Sequence, residues 1–171
     1  HYEACRKHLP LVRDIPEVSL ACEHFFDDVV YPKLLNGHGL AYNQRNCLLV
    51  ELPSDSFPQF LPQRFFDLRR KGIRVILAHP ERYSRVWDSH TVLDPIVDGG
   101  TALLLDVAAL VGKYGRKPER AALRLVEEGY YYAACSDSHR PSDVEDVARG
   151  IERLRTLVGD EEADFMLSEG P

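Results

Sequence analysis

Short apolar runs recur along the chain, and most of them close on a residue able to hold a cation. Residues 73–78 (IRVILA) are β-branched and aliphatic apart from Arg74, stop at His79, and cannot continue because Pro80 has no amide N–H to offer a ladder. Residues 18–22 precede Glu23, residues 47–50 precede Glu51, and residues 130–135 lead through Ser136 to Asp137 and His139. Residues 101–106 form a fifth run that ends on Asp106. Continuous apolar runs of this length are expected where both faces of a strand are covered, as in a parallel sheet.

Between the runs the apolar spacing becomes helical. Residues 60–71 place Leu61, Phe65, Phe66 and Leu68 at helical intervals and stop at Gly72. Residues 117–128 stop at Gly129, with Pro118 in the first turn, where its missing N–H costs nothing. Residues 141–158 are the clearest amphipathic helix, with Val144, Val147, Ile151 and Leu154 on one stripe, acids leading and arginines trailing. Weaker helices are expected at 2–12, 91–98 and 161–167, and a turn with short extended or helical structure at 25–35. Strand, loop and helix alternate without an internal repeat or linker, which predicts one α/β domain over 1–171 with a mainly parallel sheet and right-handed crossovers.

With 171 residues, 44% of them hydrophobic, the chain can bury a full core. Its net charge of −6, with 21 scattered Lys and Arg, excludes the basic stripe that nucleic acid requires. No run reaches the roughly 18 apolar residues of a membrane span, so membrane insertion is not expected. Cys22, Cys47 and Cys135 lie in or beside apolar runs and no pair has CxxC spacing, which predicts buried, reduced thiols and a cytoplasmic protein.

In parallel α/β folds the loops after the strands converge, so each strand can deliver one residue to a common site. Here the strand ends deliver Glu23, Glu51, His79, Asp137 and His139. Carboxylate and imidazole donors without thiolate suit Mn, Fe or Zn, in a site of two or three ions. Singly, each has a structural explanation: Glu51 an ion-pair partner, His79 a core histidine, Asp137 a helix cap. Their coincidence at all but one strand end is what favours a metal site. Asp106 is a candidate ligand or orienting group, weighed against a cap. His24 is expected on the opposite face in a packing role, and His38 carries no signal. Arg82, three residues beyond His79, has the planar fork that matches phosphate, against the alternative of an ion pair with Glu81 or another acid. Arg140 could act similarly. The tyrosines at 130–132 read as strand packing rather than as modification targets.

Taken together, ACEH at 21–24, LLVELP at 48–53, GIRVILAHPERY at 72–83, the GGTALLLDVAALVGKYG region and CSDSH at 135–139 resemble the PHP (polymerase and histidinol phosphatase) metallohydrolases, and among them the bacterial tyrosine phosphatases of capsule and exopolysaccharide synthesis. The resemblance covers about 18–171. It implies a distorted (βα)7 barrel and a multinuclear site, usually of manganese, with Glu23, Glu51, His79, Asp137 and His139 as ligands and Arg82 on phosphate. The family also begins with an HxH strand that this sequence does not contain, so the barrel is expected to lack its first strand here.

The expected activity is hydrolysis of a phosphomonoester, with protein phosphotyrosine as substrate and a tyrosine kinase of polysaccharide export as the partner. Arg82 and Arg140 are the expected substrate-binding residues, and a metal-bound water or His139 is the expected proton donor to the leaving phenolate. Oligomerisation is left open. Histidinol phosphate or another small phosphomonoester is the alternative substrate, and a non-catalytic binding module is the alternative of another class.

Overall fold

A computed structural model describes residues 19–42 and 46–170. Five short strands, β1 (Glu23–Phe25), β2 (Cys47–Glu51), β3 (Arg74–Ala78), β4 (Ala102–Asp106) and β5 (Ala133–Cys135), form one sheet in the order β1-β2-β3-β4-β5. All four pairings are parallel, with Glu23 opposite Leu49, Leu49 opposite Ile76, Leu77 opposite Leu103 and Asp106 opposite Cys135. Each strand therefore lies beside the next one in sequence, the winding of a barrel rather than of a doubly wound sheet. The described residues contribute five such strands toward the expected seven. The 2–12 helix falls outside them.

The helices that return the chain are α1 (Val30–Leu35), α2 (Leu61–Arg70), α3 (Ser84–Asp88), α4 (Asp94–Val97), α5 (Arg116–Glu127), α6 (Val144–Val158) and α7 (Asp160–Asp164). Leu48, Val50, Leu77, Leu103 and Leu105 from the strands share one core with Phe65 and Leu68 of α2, Leu125 of α5 and Leu154 of α6. After α2 the chain turns at Gly72, whose φ of 78° suits a residue without a Cβ, and the Ile73 N–H returns to the Leu68 carbonyl at 3.1 Å. Gly150 lets α6 approach the 3-10 turn Val107–Val111 so closely that a Cβ would collide with the Val107 carbonyl.

Several boundaries differ from expectation. The first strand is not in the apolar stretch before Glu23 but at Glu23–Phe25, because the ladder with β2 begins there. Of the preceding residues, Leu20 and Cys22 are exposed, so apolar character there gains no burial. The 91–98 helix divides into a 3-10 turn, His90–Leu93, and α4, while α3 was not anticipated. The last strand is shorter than 130–135, because Tyr130 and Tyr131 leave the sheet to bond Asp94 and Glu81 through their hydroxyls. A 3-10 turn, Pro141–Asp143, precedes α6, and α7 runs into a π-helical turn, Phe165–Glu169. Cys22 and Cys135 are thiols outside any disulfide, but Cys22 is exposed rather than buried, its Sγ donating to the Glu23 carbonyl at 3.3 Å, and Cys47 and Cys135 are half-buried. No helix among the described residues is long and apolar enough to cross a membrane.

Candidate metal centre and phosphate site

The end of β3 is the best anchored part of the site. His79 takes a φ of 33°, a left-handed conformation that costs a non-glycine residue roughly 1–3 kcal/mol. The turn Pro80–Arg82 follows and closes with the Arg82 N–H on the His79 carbonyl at 2.9 Å. Tyr83 then reaches back: its hydroxyl donates to the Ala78 carbonyl at 2.8 Å and accepts from the Leu52 N–H at 3.1 Å, tying β3 to the residue after β2.

This backbone aims the imidazole of His79 along the sheet toward its neighbours. Nε2 lies 3.0 Å from Oε1 of Glu23 and 3.7 Å from Oε1 of Glu51. One donor atom from each of the three residues falls within 4.8 Å of the others, a group able to hold a metal ion. Consecutive parallel strands produce this directly, since Glu23 begins β1, Glu51 ends β2 and His79 follows β3. The donors also fit the ion chemically. Two carboxylates and one imidazole nitrogen are the set expected for Mn, Fe or Zn, and the ring is 4% exposed, oriented by its surroundings rather than by solvent. The hydrogen bond from His79 holds the Glu23 carboxyl below its ordinary pKa, against the opposing effect of burial. Burial pulls the His79 imidazole down, but the bond to Glu23 and the nearby acids outweigh it and leave its pKa raised.

Asp137 and His139 stand apart from that trio. Asp137, with a φ of 40°, is the second strand-end residue in the left-handed region, and its Oδ2 accepts from Nη1 of Arg82 at 2.8 Å. His139 is turned outward, its side chain 74% exposed, with Nδ1 2.9 Å from the Asp137 carbonyl. Arg82 therefore pairs with Asp137 and not with Glu81, and its guanidinium lies 4.6 Å from the ring centre of Tyr114. Arg140 is exposed at the head of the Pro141–Asp143 turn. Asp143, not Asp137, plays the capping part: Oδ2 accepts from the N–H groups of His139 and Arg140, both at 3.0 Å, and Oδ1 lies 3.3 Å from Nζ of Lys113.

Asp106 proves to be a cap. Its Oδ1 accepts from the Ala108 N–H at 3.0 Å, and burial raises its pKa. His24 has the expected packing role, bonded through Nδ1 to the Leu49 carbonyl and through Nε2 to the Leu40 N–H. Burial pushes the Cys135 thiol up to about 12, so it stays protonated and is a poor nucleophile. The residues sequence reasoning missed are Glu81, Tyr83, Tyr114, Tyr131 and Asp143. None carried a local signal: the acid inside HPER, between a prolyl turn and an arginine, is easily taken for a surface partner.

Fold and donors define an α/β protein in which parallel strands bring acids and an imidazole to one point able to hold a cation, beside an arginine. Over residues 4–171 the sequence matches the family described as "Capsular polysaccharide synthesis, CpsB/CapC", and the chain belongs to that family. The match reaches further toward the N-terminus than the 18–171 resemblance. Among curated proteins it is 33% identical over 100 residues to tyrosine-protein phosphatase YwqE of Bacillus subtilis (strain 168), covering 58% of this chain and 39% of that protein. It is 28% identical over 97 residues to CapC of Staphylococcus aureus, covering 57% of this chain and 38% of that protein. The aligned stretches thus span about two fifths of these curated relatives. A chain from the crystal structures of YwqE from Bacillus subtilis and CpsB from Streptococcus pneumoniae, described there as metal-dependent tyrosine phosphatases, superposes with a TM-score of 0.83 at 26% identity, covering 96% of this chain and 67% of that one. The fold is the PHP-type α/β fold of that structure.

Proposed function

We propose that the protein is a metal-dependent phosphomonoesterase acting on phosphotyrosine in proteins of capsule or exopolysaccharide synthesis. The observation that carries this reading is the convergence of Glu23, Glu51 and His79 within 4.8 Å, on a chain of the CpsB/CapC family. Asp137 and His139, which lie apart from the trio, would complete the ligand set of a manganese site, as the resemblance to the PHP metallohydrolases implies. Bound there, manganese supplies Lewis-acid polarisation of the phosphoryl group and acidifies the attacking water. The remaining work falls to side chains. Arg82 presents its planar fork to the phosphoryl oxygens, and Arg140 offers a second cation at the mouth. The exposed His139 would serve as proton donor to the leaving phenolate, whose parent pKa near ~10 makes that donation less demanding than for an alkoxide.

A phosphorylated tyrosine kinase of polysaccharide export is the partner that fits this chemistry. Action in the cytoplasm suits the exposed Cys22 thiol, which is in no disulfide. The test uses full-length protein with and without chelator, offered a phosphotyrosyl peptide and histidinol phosphate. Hydrolysis of the peptide should vanish on chelation and return with manganese. Full activity without metal sinks the mechanism, and preference for the alkyl phosphate reassigns the substrate to a small phosphomonoester.

A further inference from the structure

The HPER turn contains one residue that the proposed chemistry leaves unused. Glu81 lies between His79 and Arg82, is 0% exposed, and is not among the three residues whose donor atoms converge. Burying a carboxyl is costly, several kcal/mol for an ionised one, and an apolar residue would fill the same space more cheaply. What a carboxyl adds is direction. Oε1 accepts from the Asp106 N–H at the end of β4 at 3.0 Å, and Oε2 accepts from the Tyr131 hydroxyl, just before β5, at 2.8 Å. Its own carbonyl accepts from the Trp87 indole N–H at 2.8 Å. Both carboxyl oxygens are thus satisfied, from two different strand ends.

We propose that Glu81 is the positioning residue for Arg82: its buried carboxyl, held by Tyr131 and the Asp106 amide, fixes the turn from which the guanidinium is presented beside Asp137. A one-turn 3-10 segment has little stability of its own, and Arg82 is the last residue of that turn. Displacement by about 1 Å at a substrate-positioning group can cost on the order of 10²-fold in rate. The inference rests on the reading of Arg82 as the phosphoryl-binding residue.

A double-mutant cycle on the full-length, manganese-loaded protein separates positioning from general support. Glu81→Gln, Arg82→Ala and the double variant are compared for kcat and KM on p-nitrophenyl phosphate, with bound manganese per chain measured alongside. Glu81→Gln should lower kcat/KM by about 10-fold to 100-fold alone, leave manganese bound, and cost nothing further once Arg82 is alanine, since residues acting through one group are non-additive. The same fold-loss in both backgrounds, no loss in either, or a parallel loss of manganese overturns the proposal. If Glu81→Gln does not fold, Tyr131→Phe takes its place in the cycle, with the same non-additivity expected and the same equal losses counting against it. An Arg82→Ala variant with unchanged kcat/KM overturns the reading of Arg82 and this inference with it. A large Arg82 effect with additive Glu81 overturns this inference alone.

Discussion

The loops after β3 and β5 meet at the same site but are built in opposite ways. Each begins with a non-glycine residue in the left-handed region, His79 at φ 33° and Asp137 at φ 40°. After His79 the chain is braced from within: Glu81 and Tyr83 are buried, and their polar atoms bond across to β4, to the approach to β5 and to the residue after β2. After Asp137 the chain opens outward, with His139 and Arg140 exposed and held through their backbone by Asp143, itself paired with Lys113. The difference separates two tasks. Under the proposed function the first loop holds His79 and Arg82 on a rigid support, and the second carries Asp137 and His139 where an incoming substrate can reach them.

This contrast is most severely tested at the two histidines. His79→Ala should abolish bound manganese and lower the phosphatase rate by more than about 100-fold, the scale at which even outer partners of metal ligands act. His139→Ala should lower the rate while leaving the unfolding free energy within about 0.5 kcal/mol, as expected for an exposed side chain. Metal analysis and urea unfolding of both variants decide the matter, and equal stability losses would erase the distinction. Next in size is Tyr83→Phe, which strands the Leu52 N–H and removes a donor from the Ala78 carbonyl. It should cost about 1–3 kcal/mol in urea unfolding. The smallest effect on stability is expected from Asp143→Ala, which frees the backbone of His139 and Arg140. Its unfolding midpoint should move less than that of Tyr83→Phe while KM for a phosphotyrosyl peptide rises.

The same contrast explains what was legible beforehand. Glu51 and His79 could be found because parallel strands ending on polar residues leave a one-dimensional trace, and β2, β3 and β4 run as uninterrupted apolar stretches. Glu23 was singled out as a donor although its strand was placed too early, since the register of a short strand is set by its partner and not by its own hydropathy. Glu81 left no such trace. Its partners Asp106 and Tyr131 are 25 and 50 residues away, and nothing local tells a buried carboxyl from an exposed one. The three consecutive tyrosines show the limit well: Tyr131 is buried on Glu81, Tyr130 bonds Asp94, and Tyr132 is half exposed against the edge of Phe165.

Strand order also carries a consequence for how the site comes into being on the ribosome. Glu23, Glu51 and His79 arise from three successive strands, each pairing with the one made just before it. The trio is therefore complete in the nascent chain while the partner of Arg82, 55 residues further on, has yet to be translated. A cation captured at that stage would favour the native pairing of the early strands, leaving the substrate-facing half of the pocket as the last part to be assembled.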